Sequence, residues 1–279
     1  MTFSIVARSA DGQSWGVAVA SKFLAVGSVV PAAVAEVGAV ATQAEANVAY
    51  KGQALAHLDE GATAAVALQR LLEEDPGRAD RQVGIVDVDG NAASHTGDRC
   101  FDWAGGLTDR DVAIQGNILT GPEVVEAMRT AWDATADQPD LSRRLLAALV
   151  AGDRAGGDRR GRQSAALLVV REGAGYGGHD DVAVDLRVDD HPDPCVELGR
   201  LLDLNDLYLT ASAEHEKVPV DSALRVELDD RAKQLGHHDF HAWVGGENYE
   251  MRVSRADDPA PWVDRQVLRI LREQSGGAE

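Results

Sequence analysis

The second residue of the chain is a threonine, and a threonine there can do chemistry that an internal one cannot. Its small side chain permits removal of Met1, which would leave a free α-amino group on a residue that also carries a hydroxyl. Such a terminus holds nucleophile and base together, because an α-amine titrates near ~7.7–8 and can take the hydroxyl proton. Many chains carry Thr second; what singles this one out is the strand-like run Phe3 to Arg8, which would hold Thr2 at a strand end and not on a frayed tail.

A second group is the loop Asp158-Arg159-Arg160-Gly161-Arg162-Gln163, with three arginines in four positions. Planar guanidinium groups grip carboxylates bidentately, so one arginine is expected in a pocket and the others on the surface, which points to an anionic or carboxylated substrate. The plainer alternative is a solvated loop pairing with surface acids. A third group, His179-Asp180-Asp181 and Asp185 to Asp193 with His191, holds carboxylates and imidazoles but matches no ligand spacing, so neither metal nor cofactor is expected. His237, His238 and His241 read as surface residues of a short helical stretch.

The elements that must position these groups are read from periodicity. Phe3 to Arg8 and Trp15 to Ala20 form a β-hairpin around Asp11-Gly12-Gln13, and Val26 to Val37, interrupted by Pro31, and Gly38 to Thr42 read as further strands. Helical spacing runs from Asn47 to Gly61 and from Ala62 to Leu72. Val83 to Val88 and Ala92 to Thr96 make a second hairpin on an Asp-Gly turn. Asp111 to Leu119 reads as a strand, Glu123 to Thr135 and Leu141 to Ala151 as helices, and Ser164 to Arg171 as a buried strand. Strand blocks alternating with helix pairs fit two sheets packed together with helices outside, an α+β arrangement. The composition changes after about Gly199, and a helix from Asp221 to Leu235 precedes a Trp- and His-bearing end. The expected domains are residues 1–204 and 205–279.

With 46 Asp and Glu against 27 Lys and Arg, the net charge is −19, which argues against nucleic acid as a partner. No apolar run approaches the ~20 residues that span a bilayer, so no membrane partner is expected. The start, MTFSIVARSADG, lacks a basic segment and a long apolar run, and the two cysteines, Cys100 and Cys195, make no disulfide framework. The expectation is a cytoplasmic protein.

The runs TFSIVARSADGQSWGVAVASKFLAVGSVVP and GAVATQAEAN, followed by QGNILTGPEVVEAM and GGDRRGRQSAALLVV, resemble the family known as domain of unknown function 1028. The resemblance covers about residues 1 to 205. It implies membership of the N-terminal-nucleophile (Ntn) hydrolases and a four-layer αββα sandwich like that of proteasome β-subunits. The tail, HDFHAWVGGENYEMRV with PWVDRQVLRIL, is similar to the peptidoglycan-binding-like domain that often follows, here small and mainly helical.

Carried over residue by residue, the resemblance makes Thr2 the nucleophile and places Ser21 and Lys22 among the polar residues around it. Gln43 and Ala44 fall at a junction that supplies a backbone N–H to the oxyanion. Asn117, after Gly116, lies in the turn beside the nucleophile, where its amide can donate to an oxyanion, and Asp158 with Ser164 lies in the loop that orients the α-amine. The lysine that proteasome-type sites carry on the third strand would fall near Val29 or Val30, so Lys22 is the nearby candidate to lower the α-amine pKa. The catalytic candidates are thus Thr2, Lys22, Asn117 and Asp158, and the candidate substrate contacts Ser21, Gln43, Asn47, Arg159, Arg160 and Gln163. Ser21 is equally suited to a backbone-satisfied hydroxyl, and Gln43, Asn47 and Asn117 to turns or caps.

The implied activity is hydrolysis of a small amide or peptide-like, anionic substrate through an acyl-enzyme on Thr2, by a homo-oligomer. The alternative is an inactive fold of the same type that binds or assembles, using its C-terminal domain for a partner.

Overall fold

The hairpin that opens the chain carries the site, and the rest of the first unit is arranged around it. The computed structural model describes residues 2–276. Strands β1 (Thr2–Arg8) and β2 (Trp15–Ser21) pair antiparallel from Phe3↔Ala20 to Arg8↔Trp15, and Gly12 takes the left-handed conformation of the turn with φ 73°. Next come α1 (Val26–Val29), β3 (Pro31–Val34), β4 (Gly38–Ala44), α2 (Tyr50–Asp59) and α3 (Ala64–Glu74). Then follow β5 (Arg81–Asp87), β6 (Ala92–Thr96), β7 (Gly105–Asp109), β8 (Val112–Asn117), α4 (Glu123–Ala134) and α5 (Leu141–Arg154). Strands β9 (Ser164–Val170) and β10 (Val182–Val188) lead into α6 (Pro194–Tyr208).

Six strands form one antiparallel sheet in the order β10-β9-β2-β1-β8-β7, and four form another in the order β3-β4-β5-β6. Side chains alternate across each strand, so every strand serves two faces. On one face of the six-stranded sheet Phe3 packs near Met128 and Gly152, and α5 lies against β1, β2 and β9. On the other face Val6, Trp15, Val17, Val19 and Ala113 cluster with Ala39, Ala41 and Val86 of the four-stranded sheet. The opposite face of that second sheet, with Val40, Val83 and Ile85, packs against Tyr50, Ala54, Leu58 and Leu71 of α2 and α3. Caps fix the helix starts: Thr63 accepts from Val66 N–H, Asp140 from Ser142 N–H, and buried Asp87 both receives Ala64 N–H at 2.9 Å and holds the 89–91 turn.

Four of the segments described depart from the sequence reading. Val26 to Val29, expected as strand, is a short helix. Ala25 sits at φ 52° and Val26 N–H donates to Ser164 Oγ at 3.1 Å, ties that override the β preference of the valines. Strand β7 lies in a Gly-rich run without strand-like alternation, and β10 in the acidic segment 179–193. Helix α6 begins at Pro194, a residue favoured in a first helical turn.

The chain divides into two compact units, Met1–Leu201 and Leu202–Glu279, with the division inside α6. The second unit holds β11 (Lys217–Pro219), α7 (Ser222–Gln234), α8 (Phe240–Glu247), β12 (Trp262–Asp264) and α9 (Arg265–Gln274) around Leu228, Phe240, Trp243, Tyr249 and Val263. Tyr208 stacks on Tyr249 at 5.6 Å between ring centroids, and buried Arg252 reaches Asp264 at 3.4 Å. No helix among the described residues is long and apolar enough to cross a membrane.

Candidate active site

The face of β1 that points at the four-stranded sheet changes character along its length. Val6 belongs to the apolar cluster, but Ser4 and Thr2, two and four residues earlier on the same face, enter a buried polar network. The neighbouring strands change in step, from Ala113 to Gln115 and Asn117 on β8, from Ala41 to Gln43 on β4, and from Val86 through Gly84 to Gln82 on β5.

Four amides meet there. Gln82 Oε1 accepts from Gln43 Nε2 at 2.8 Å and from Asn117 Nδ2 at 2.9 Å, while Gln82 Nε2 donates to Gly116 O at 2.7 Å and Thr96 Oγ1 at 2.9 Å. These partners fix the orientation of the Gln82 amide, with oxygen toward Gln43 and Asn117 and nitrogen toward carbonyl and hydroxyl acceptors. Ser4 Oγ donates to Gln43 Oε1 at 2.7 Å and accepts from Gln115 Nε2 at 2.7 Å. Gln43 Nε2 and Asn117 Nδ2 then both reach the Thr2 carbonyl, at 3.3 and 3.5 Å. All five side chains are at most 1% exposed, and Gly84 leaves the room: a Cβ there would lie 2.1 Å from Gln115 Oε1.

Above this bed Thr2 is paired with Asn117 on β8, and its Oγ1 lies 3.1 Å from Ser21 Oγ at the end of β2. Two non-glycine residues with positive φ directly follow the two amides that touch Thr2: Ala44 at 68° after Gln43, and Ile118 at 50° after Asn117. A β-branched residue in that region is strained, and such strain persists only where the surroundings enforce it. Here Ile118 is held by its N–H on Phe101 O at 2.9 Å and its carbonyl on Arg159 N–H at 3.3 Å.

Asp158 closes the other side. Its side chain is 2% exposed, its backbone bridges Leu119, and its carboxylate receives Lys22 N–H at 2.6 Å and Arg160 N–H at 2.8 Å. A cavity of about 440 Å³ opens beside the cluster, lined among others by Phe3, Ser21, Arg154, Asp158 and Arg162. The site therefore offers a buried hydroxyl at a strand end, a neutral hydrogen-bonded bed under it, one buried carboxylate and an adjoining space of ligand size.

Residues 2–198 match the family of unknown function DUF1028. The chain belongs to that family. It is also similar to a solved DUF1028 structure, protein SPO2555 from Silicibacter pomeroyi, at 32% identity over 77% of this chain and 91% of the other, with a TM-score of 0.66. No curated protein matches the chain.

Within this DUF1028 chain the expected site residues separate into two sets. Thr2, Ser21, Gln43 and Asn117 are brought together, with Asp158 beside them through Lys22 N–H. The Asn117 amide is committed to Gln82 and to the Thr2 carbonyl, which makes it a positioning group under Thr2 more than a donor to an incoming ligand. Lys22 meets Asp158 through its backbone only. Its side chain is exposed, one residue beyond the strand whose inward-facing end is Ser21, and among the described residues its ammonium makes no hydrogen bond or ion pair. Asn47 lies elsewhere, at the start of α2, accepting from Ala49 N–H at 3.2 Å and donating to Asp75 at 3.4 Å. Arg159 donates to Asp102 O at 3.0 Å, Arg160 pairs with Asp158 at 3.3 Å, and Gln163 donates to Asp190 at 3.1 Å, so none of the three extends unpartnered toward the cavity.

Asp75 is a buried, multiply bonded carboxylate away from the Thr2 cluster. Arg81 Nε at 2.9 Å, the Tyr50 hydroxyl at 2.8 Å and Gly77 N–H at 2.7 Å hold its carboxyl well below the usual range, Arg81 first among them. Burial and the same carboxylate push the Tyr50 hydroxyl up. The acidic segment 179–193 satisfies itself locally, with Asp181 accepting Gly173 N–H and His191 accepting Asp193 N–H, and among the described residues no three His, Cys, Asp or Glu side chains are grouped to hold a metal.

Sequence reasoning missed Ser4, Gln82 and Gln115. Each looks like an ordinary strand residue, and only the period of two, read jointly on β1, β5 and β8, would have put them on one face with Thr2.

Proposed function

We propose that the first unit is an Ntn-type αββα sandwich and that Thr2, exposed by removal of Met1, is the nucleophile of an amidohydrolase acting on a small anionic amide. The observation that carries this is the seat of Thr2. Its hydroxyl is buried at a strand end over an amide bed that holds its own carbonyl, and its neighbour Ser21, whose Oγ lies 3.1 Å away, lines a cavity large enough for a small substrate.

In this reaction the α-amine takes the Thr2 hydroxyl proton as Oγ1 attacks the amide carbon. The tetrahedral adduct collapses, the C–N bond breaks, and the protonated α-amine returns the proton to the leaving nitrogen. Water, deprotonated by the same amine, then cleaves the ester and restores the threonine. Gln43 and Asn117 turn their NH2 groups toward Thr2, and the positive ends of these dipoles disfavour an ammonium at the strand start. That is the part the expected third-strand lysine would play, performed without a buried charge.

The test is turnover of a panel of small carboxylated amides by the processed protein. Thr2→Ala should lower it by a factor on the order of 10³ or more with the fold unchanged, and Thr2→Ser should keep a measurable fraction. Unchanged turnover in Thr2→Ala rules the proposal out. A second reading, a fold of this type that binds without turnover, draws on the exposed Lys22 ammonium, and it predicts that neither variant nor wild type turns over any amide.

A further inference from the structure

We infer that Arg154, and not the arginines of the 159–160 pair, is the group that selects an anionic substrate. This deepens the amidohydrolase reading and rests on it for the identity of what enters the cavity. The cavity beside Ser21 has four charged side chains in its lining, Asp153, Arg154, Asp158 and Arg162. Both acids are already engaged: Asp153 holds Arg162 at 2.8 Å, and Asp158 holds Arg160 at 3.3 Å. The hydrogen bond to Asp153 stabilises the charged form of Arg162 and commits its Nε. Arg154 is different. It is exposed at the last residue of α5, lines the cavity, and among the described residues makes no hydrogen bond or ion pair. An entering ligand therefore meets one uncommitted charge, and it is positive.

The geometry of that charge names the ligand class. A guanidinium presents parallel N–H donors that match a carboxylate bidentately. The remaining lining includes Phe3, Pro192 and Pro194, apolar surface suited to a short hydrocarbon segment. The substrate class that follows is an amide whose acyl or amine part carries a free carboxylate on a short aliphatic arm. Arg159 is excluded from the role because its guanidinium is spent on Asp102 O, on the loop ahead of β7.

A plain structural role for Arg154 also exists, since a cation at a helix C-terminus offsets the negative end of the helix. That role moves stability and not ligand affinity, so the two are separable. The probe is glutarate, titrated calorimetrically into the full-length protein in low-salt, phosphate-free buffer. Expected are saturable binding to the wild type, a loss of about tenfold or more in R154Q, only partial recovery in R154K, which keeps the charge but not the bidentate fork, and unchanged affinity in R159Q. Neutral glutaramide and inorganic phosphate should both bind more weakly than glutarate. Thr2→Ala should bind glutarate as the wild type does, so failure of the catalytic reading would show in turnover alone and leave this assignment standing. The assignment is overturned by absent glutarate binding to the wild type, by equal affinity in wild type and R154Q, by an equal loss in R159Q, or by phosphate binding as tightly as glutarate.

Discussion

The two ends of the space between the sheets are built by the same strands and filled in opposite ways. At one end Val6, Val17, Val19, Ala39, Ala41 and Val86 pack with no polar side chain among them. At the other, Ser4, Gln43, Gln82, Gln115 and Asn117 are equally buried but hydrogen-bonded to one another. Burying an amide is unfavourable unless its donors and acceptors are met, whereas apolar burial at this position would be favourable without conditions. The polar end thus gives up stability that the apolar end shows to be available. What it gains is direction: each amide orients the next, and the last two orient Thr2. One atom in the bed, Gln115 Oε1, is buried without a partner, a further cost that a purely structural filling would not carry.

Variants at the two ends are expected to differ widely in effect. The largest is Thr2→Ala, expected to remove at least about 4 kcal/mol of transition-state stabilisation while leaving thermal unfolding nearly unchanged. Next is Gln82→Leu. It removes the nearest acceptor of Gln43 Nε2 and Asn117 Nδ2, leaving them only longer contacts to backbone carbonyls, and at about 1–3 kcal/mol for each weakened group it should cost about 3 kcal/mol in denaturant unfolding. It should also lower turnover, because Thr2 loses its bed. Val6→Ala supplies the contrast, with a loss of about 2 kcal/mol from a cavity at the apolar end and no change in turnover per folded molecule. If Val6→Ala and Gln82→Leu reduce turnover alike, the polar end has no special role.

A smaller effect concerns pH. The bed contains no titratable group, so its contribution is independent of pH, but Asp75 behaves otherwise. Its carboxyl is depressed in the folded protein, chiefly by Arg81, so the stability it contributes is full above the unfolded value of about 3.9 and is lost as pH falls toward the folded one. Asp75→Asn should be less stable than wild type near neutrality, with the gap closing in acid, measured by thermal unfolding at a series of pH values. A gap independent of pH would contradict this assignment. The smallest effect is Arg159→Gln, an exposed hydrogen bond to a carbonyl, expected within about 0.5 kcal/mol of wild type in unfolding.

What could be read in the sequence follows from which forces are local. The β1–β2 and β5–β6 hairpins were legible because alternation and turn residues are written in consecutive positions, as in Asp89-Gly90. Helices α2 to α5 and α7 were legible by their period. Val26 to Val29 misled because its β-branched residues obey a tertiary contact with Ser164. Strand β7 gave no warning, since Gly105 and Gly106 carry no side-chain pattern. At the site, Thr2, Ser21, Gln43, Asn117 and Asp158 were named from the sequence and the resemblance, yet the bed joining three of them was not. Its members lie on four strands between residues 4 and 117, and a hydrogen bond between Gln82 and Asn117 leaves no trace in either one's neighbours. The arginine loop was read by density of charge, and charge density does not reveal which guanidinium is already paired.

Catalysis by Thr2 requires that its amine exist. Intact-mass measurement of the purified protein decides it, because the nitrogen that must act as base is an amide while Met1 remains attached. The expected mass is that of a chain that begins at Thr2. A mature protein that retains Met1 has no such amine and rules out Thr2 as the nucleophile.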